Sequence, residues 1–196
     1  MEKELSEMTL EELWELFPIL LKEYNTEYPR WYEIEKDRLT ELFDDGTIVR
    51  ISHIGSTAIP GILSKPIIDI LMEISMQRNV KQITERLKEM GWILMNSVDT
   101  PTLRQSYNKG YTKYGFAEKV YHLHVRYVDD WNELYFRDYL IEHPKIAKEY
   151  ADLKLHLKKE YEHNRDAYTE AKEDFVRHYS ELAKELYGDR YKIETN

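Results

Sequence analysis

The sequence predicts an α/β (α+β) chain, a mixed β-sheet core with helices before it and a helical part after it. Three observations carry that prediction. Apolar residues recur at three- and four-residue spacing from Leu10 to Phe43. The middle of the chain holds β-like runs, above all Ile67 to Ile74, which is apolar almost without a break. From Trp131 onward the chain has hardly a glycine and returns to helical periodicity. This order argues for a sheet with helices packed against it. One domain is expected over residues 1–196, with N-terminal helices to about 45, the α/β core over 46–130 and the helical part over 131–196.

Each element follows from local chemistry. Thr9 with Glu12 makes a capping box, and Leu10, Leu13, Trp14, Phe17, Leu20 and Leu21 mark an amphipathic helix to about Tyr24. Pro29 suits a first helical turn. Trp31, Ile34, Leu39, Leu42 and Phe43 continue a second helix, closed by Asp45-Gly46. Thr47 to His53 is β-like. Gly55-Ser56-Thr57 forms a turn or helix start, ended by Pro60-Gly61. Ile67 to Ile74 then reads as a central strand buried on both faces. Val80 to Met90 is helical and stops at Gly91. Trp92 to Val98 and Thr102 to Asn108 read as strands, Lys109 to Glu118 as a loop or hairpin, and Lys119 to Val128 as another strand. Trp131 to Ile141, Pro144 to about His163, and Asp166 to about Tyr187 read as three helices. There is no internal repeat and no linker.

Composition narrows the function. A formal charge of −9 argues against nucleic acid as a partner of the whole surface, because phosphate backbones need clustered Lys and Arg. No cysteine is present, so thiolate metal sites and disulfides are excluded. The acidic, amphipathic N-terminus is unlike a secretory leader, and no apolar run reaches the roughly 20 residues of a spanning helix. A cytoplasmic protein with no membrane partner is expected. Zincin, P-loop, Rossmann and α/β-hydrolase motifs are all missing.

Three constellations can carry chemistry. Gly55 lets backbone amides approach an anion, and Ser56 adds a hydroxyl; the same pair also serves as a simple N-cap. Asp69 lies among Ile67, Ile68, Ile70 and Leu71, where a carboxylate must be paired, hydrogen-bonded or bound to a cation. A strand-end Asp that caps a loop is the plainer alternative. His122 and His124 project from one strand face about 7 Å apart, and can share a metal, hold a phosphate or supply a base; alternating His on an exposed face is the bland reading. His53 can line the same site. Lys65, Arg104 and Lys109 are the nearest basic residues in sequence for a phosphate.

The stretches "IGSTAIPGILSKPIIDILMEI", "YHLHVR", "FRDYLIEHPKIAKEYADLK" and "AYTEAKEDFV", preceded by "YPRWYEIEKDRL", resemble the GrpB family from about Tyr28 to Leu186. That family is similar to the nucleotidyltransferase superfamily in fold, and occurs alone in bacteria or fused to dephospho-CoA kinase. The resemblance implies a nucleotidyltransferase-like core. It places Gly55, Ser56 and Thr57 at the turn that holds a nucleotide's phosphates, and Asp69 at the first strand carboxylate. Active members use two carboxylates one residue apart, with a third on an adjacent strand, to bind Mg2+ for attack on the α-phosphate. Here the second position is Leu71, and the adjacent strand offers His122 and His124. Glu73 shares the face but lies about 13 Å along the strand. The expected metal ligands are therefore Asp69, His122 and His124, with Mg2+, Mn2+ or Zn2+ as the ion and the mixed donor set suiting zinc, manganese or iron better than magnesium. Asp69, His122 and His124 are also the expected catalytic groups. Two functions stay open: a transferase acting on a nucleotide or other phosphate-bearing small molecule, and a binding module for a nucleotide or coenzyme A-related ligand that has lost the chemistry. A scaffold role for the C-terminal helices ranks last, since no long heptad seam is present.

Overall fold

The computed structural model describes residues 3–193; positions 1–2 and 194–196, the ends of the expected domain, lie outside the described residues. Its sheet has five strands, β1 (Ile48–Ile54), β2 (Ile67–Ile74), β3 (Ile93–Val98), β4 (Arg104–Thr112) and β5 (Gly115–Tyr127), in the order β1-β2-β5-β4-β3. β2 and β5 run parallel, and every other neighbouring pair is antiparallel. The sheet is mixed, as the sequence predicts. β2 takes an interior place because its apolar residues can be buried on both faces.

Helices α1 (Leu10–Leu16) and α2 (Tyr28–Leu42) precede the sheet, α3 (Val80–Glu89) joins β2 to β3, and α4 (Asn132–Glu142), α5 (Pro144–Tyr161), α6 (Arg165–Glu170) and α7 (Glu173–Tyr187) follow it. The Thr9/Glu12 capping box forms, but α1 stops at Leu16 instead of running to Tyr24. Pro18 is the reason: it lacks an N–H, and its ring drives Phe17 out of the helical region, to φ −124° and ψ 63°. The chain then runs extended, and Lys22 bridges Ser64 through two backbone hydrogen bonds of 2.8 and 3.0 Å. The last expected helix is two, α6 and α7, broken at Ala171-Lys172. Of the two forms expected for 109–118 the hairpin is the one present, β4 and β5 continuing into it around a tight turn at Lys113-Tyr114.

Cross-strand partners share a sheet face. On the lower face Ile68, Ile70, Met72, Tyr107, Leu123 and Val125 pack against Tyr28, Tyr32 and Leu39 of α2 and Ile83 and Leu87 of α3. That face is the main core. The upper face is mixed. Leu71 and Ile54 meet Trp131 and Leu134 there, which seats α4, while α5 packs through Ala147, Tyr150 and Ala151 onto Ile59 and Ile62, just after the Gly55 turn. The helical part thus closes over the same sheet face that carries Asp69. No helix among the described residues is long and apolar enough to cross a membrane.

Candidate functional site

Parallel pairing of β2 with β5 sets Asp69 directly opposite His122, and β4 adds Asn108 to the same row. Leu71, His124 and Ser106 form the next row. The three side chains the sequence singled out therefore do converge. His122 Nδ1 lies 3.1 Å from Asp69 Oδ1, whereas His124 Nε2 is 3.9 Å away, beyond hydrogen-bond range. Burial alone would raise the Asp69 carboxyl, but the hydrogen bond from His122 and the nearby imidazoles of His122 and His124 outweigh it and hold the group well below the usual range. Burial is also the largest influence on His122, and pushes it below its ordinary value despite Asp69.

His122 has a second partner that the sequence reading missed. Its Nε2 lies 2.7 Å from the hydroxyl of Tyr111, and Arg165 Nη2 lies 3.2 Å from that same oxygen. Donor and acceptor roles follow by elimination. An ionised Asp69 only accepts, so His122 carries its proton on Nδ1; neutral Nε2 then accepts from Tyr111; Arg165 only donates. Gly110 makes this possible. It has φ 90°, and the β4–β5 register slips between Lys109 and Tyr111. An added Cβ at Gly110 would fall 2.3 Å from the Lys119 carbonyl. The bulge re-aims Tyr111 from the lower face to the upper one. A glycine inside a strand pattern is the sequence signal for such a bulge.

The expected metal site does not fit this arrangement. His122 has both ring nitrogens engaged, Leu71 fills the second carboxylate position with core packing, and no group of three His, Cys, Asp or Glu among the described residues is set to hold an ion. Glu73 is fully buried and engaged elsewhere, accepting two hydrogen bonds from Arg50 and one from the Asp129 amide.

The phosphate-binding expectations divide. Ser56 Oγ accepts from Lys154 Nζ at 3.1 Å. The Thr57 hydroxyl is committed to structure: it donates to the Ile67 carbonyl at 3.0 Å and so accepts from His53 Nε2. His53 itself stacks on Tyr32 beneath the sheet instead of lining the site. Lys109 points to the lower face as well, where it pairs with buried Glu35 at 2.5 Å. Arg104 shares the upper face but stands opposite Arg126, about 7 Å along β4 from the His124 row, over the Trp131 ring. Lys65 stands near enough to Asp69 for the carboxylate to act on its charge.

Lys65 has companions that sequence distance concealed. Lys154 lies buried on α5, Lys172 at the α6–α7 break, and Arg165 opens α6. Lys65 and Lys172 stand 5.6 and 4.5 Å from the ring of Tyr168, and Lys154 4.6 Å from that of Tyr150. The buried Tyr168 hydroxyl has no hydrogen-bond partner. None of the four cations makes an ion pair among the described residues. Burial first, and mutual repulsion second, bring Lys65 and Lys154 down to about 7. Burial likewise lowers Lys172 to about 8, with Asp69 opposing the shift and Arg165 adding to it. The Lys154 signal was legible: it falls in the buried stripe of α5, with Ala147, Tyr150, Ala151 and Leu157. Tyr111, His122, His124 and Arg165 line one cleft of about 930 Å³ together with apolar Leu13, Trp14, Ile93 and Leu94.

Comparison with known proteins agrees with this architecture. The family model described as GrpB protein matches residues 18–181. The chain is 34% identical over 167 residues to UPF0157 protein YqkA of Bacillus subtilis, covering 82% of this chain but 46% of that protein. It is 33% identical to the glutamate-rich protein GrpB of Alkalihalophilus pseudofirmus, covering 81% of this chain and 91% of that protein. The crystal structure of conserved protein GrpB from Enterococcus faecalis superposes with a TM-score of 0.74 at 26% identity, over 86% of this chain and 99% of that one. In sequence and in fold, then, this chain belongs to the GrpB family.

Proposed function

We propose that this protein is a nucleotidyltransferase-like transferase. In this reading it holds the phosphate chain of a nucleotide, or of a related phosphate-bearing small molecule, between the Gly55-Ser56 turn and the C-terminal helices. One observation carries it: Lys65, Lys154, Lys172 and Arg165 gather beside Ser56 and Asp69 with no carboxylate partner, in a chain of formal charge −9. Gathering like charges in a half-buried place costs folding free energy. A polyanion that supplies the missing counter-charge turns that cost into affinity. The apolar side chains in the cleft, Leu13, Trp14, Ile93 and Leu94, suit the nucleobase or other uncharged portion of such a ligand.

Thermal-shift and calorimetric titrations with ATP, coenzyme A and pyrophosphate test it. A ligand present at ~100 times its Kd adds ~2.7 kcal/mol to stability. The expected result is such a shift in the wild type and its loss in a Lys65→Met/Lys172→Met double variant. A wild type that none of the three stabilises removes this reading. Leu71 in the core favours a second one, a module that binds the ligand without turnover. Stabilisation with no product from any triphosphate, alone or with acceptor alcohols, would select it.

A further inference from the structure

We propose that Tyr111 is a nucleophile: its phenol oxygen attacks the α-phosphorus of a bound nucleoside triphosphate, with His122 as the base and Asp69 positioning His122. This rests on the phosphate-binding reading above and adds a covalent step to it.

Carboxylate, imidazole and hydroxyl stand in a hydrogen-bonded series, Asp69 Oδ1 to His122 Nδ1 at 3.1 Å and His122 Nε2 to Tyr111 at 2.7 Å. That order activates nucleophiles on unrelated folds. The proton positions already derived leave the His122 Nε2 lone pair facing the Tyr111 O–H. Arg165 donates to the same oxygen at 3.2 Å, so the phenolate that forms on proton loss meets a cation. The ring is held against Phe17 and Phe116, with centroids 4.9 and 5.3 Å away. Phenylalanine would serve that packing equally well; the hydroxyl is what His122 and Arg165 address. The strand departs from regular register at Gly110 to deliver this one side chain. Tyr111 and His122 both line the open cleft, so the oxygen is within reach of a ligand.

The step balances. A bond forms between the Tyr111 oxygen and the α-phosphorus. The bond from that phosphorus to the oxygen bridging to the β-phosphate breaks, and pyrophosphate leaves with the electron pair. The phenolic proton passes to His122 Nε2, whose imidazolium Asp69 stabilises. Lys65, Lys154 and Lys172 neutralise the departing charge. Once pyrophosphate has carried that proton away, His122 takes the proton of an acceptor hydroxyl. The acceptor oxygen bonds to the phosphorus, the bond from phosphorus to the Tyr111 oxygen breaks, and His122 returns the proton to that oxygen.

The test incubates the protein with ATP, GTP, CTP or UTP and magnesium chloride, without acceptor, and reads intact and peptide masses. The expected product is a chain heavier by one nucleoside monophosphate, on the peptide that carries Tyr111, with one pyrophosphate released per chain. Tyr111→Phe is expected to keep the triphosphate-induced thermal shift and lose the adduct. His122→Gln should slow adduct formation by about 100-fold or more. A wild type that a triphosphate stabilises yet never labels overturns the nucleophile and leaves the phosphate-binding reading standing. So does a Tyr111→Phe variant labelled like wild type. A wild type that no triphosphate stabilises overturns the nucleophile, and one that coenzyme A and pyrophosphate also fail to stabilise overturns both.

Discussion

The carboxylate of Asp69 occupies the space a side chain on Gly55 would need. An added Cβ at Gly55 falls 2.3 Å from Asp69 Oδ2. Gly55 also has φ 70° and ψ −175°, a backbone region essentially closed to other residues. The turn that carries Ser56 and the acid on β2 are therefore a single unit. Gly55→Ala is expected to cost about 1–3 kcal/mol from backbone strain, and to push Asp69 off His122. Differential scanning calorimetry and the ATP-induced thermal shift should both register it. A variant with wild-type melting and wild-type ligand response would show the unit is not coupled.

Lys154 offers a contrast between stability and binding. Its ammonium is buried, donates to Ser56 Oγ and the Leu63 carbonyl, and lacks an acidic partner. Lys154→Met removes a desolvated charge and keeps most of the volume. The apo protein should be as stable as wild type or more so, while affinity for pyrophosphate or ATP falls about 10-fold or more, as expected for a lost charge-assisted hydrogen bond. Denaturant melts and calorimetric titration measure the two halves. Lower apo stability with unchanged affinity would make Lys154 a structural residue.

The lysines also set a pH dependence. Lys65 and Lys154 sit at about 7 and Lys172 at about 8 in the folded chain, against ordinary values near 10.5. Above pH 7 the unfolded chain holds more protons at these positions than the folded one, so folding stability rises with pH. Their penalty is complete below about pH 7 and shrinks as pH climbs toward 9. Phosphate binding runs the other way, because the cations it needs are being lost. Melting temperature without ligand should rise from pH 7 to 9 while pyrophosphate affinity declines. Affinity that holds constant over that range would detach the lysines from the ligand.

Glu73 shares the strand face of Asp69 yet serves the fold. It is fully buried, takes a 2.7 Å hydrogen bond from Arg50 Nη2, and Arg50 in turn reaches the carbonyls of Asp129 and Tyr191. The pair ties β1 and β2 to the start of the helical part and to the C-terminal segment. Glu73→Ala leaves Arg50 without its counter-charge and should cost about 3 kcal/mol. The folded fraction should still bind ATP with near wild-type affinity, as an equilibrium titration well below the melting temperature can show. A selective loss of binding at unchanged stability would return Glu73 to the site.

Much of this protein is determined by the sequence alone. Periodicity, capping and apolar runs place α2, α3, the interior strand β2 and the helical C-terminal part, because hydrogen bonding and burial act over a few residues. Asp69, His122 and His124 announce themselves, since charge or imidazole at alternate strand positions requires a partner. Pro18 was equally legible, and its power to end a helix outweighs the apolar pattern that continues past it. Only the tertiary structure decided what those partners are. Parallel pairing of β2 with β5 set Asp69 against His122, the bulge at Gly110 brought Tyr111 to the same face, and the closing helices delivered Lys154, Arg165 and Lys172. Register and helix docking are settled by packing over the whole core. The counter-charges of an acid on one strand therefore stand dozens of residues away, where no local pattern points to them.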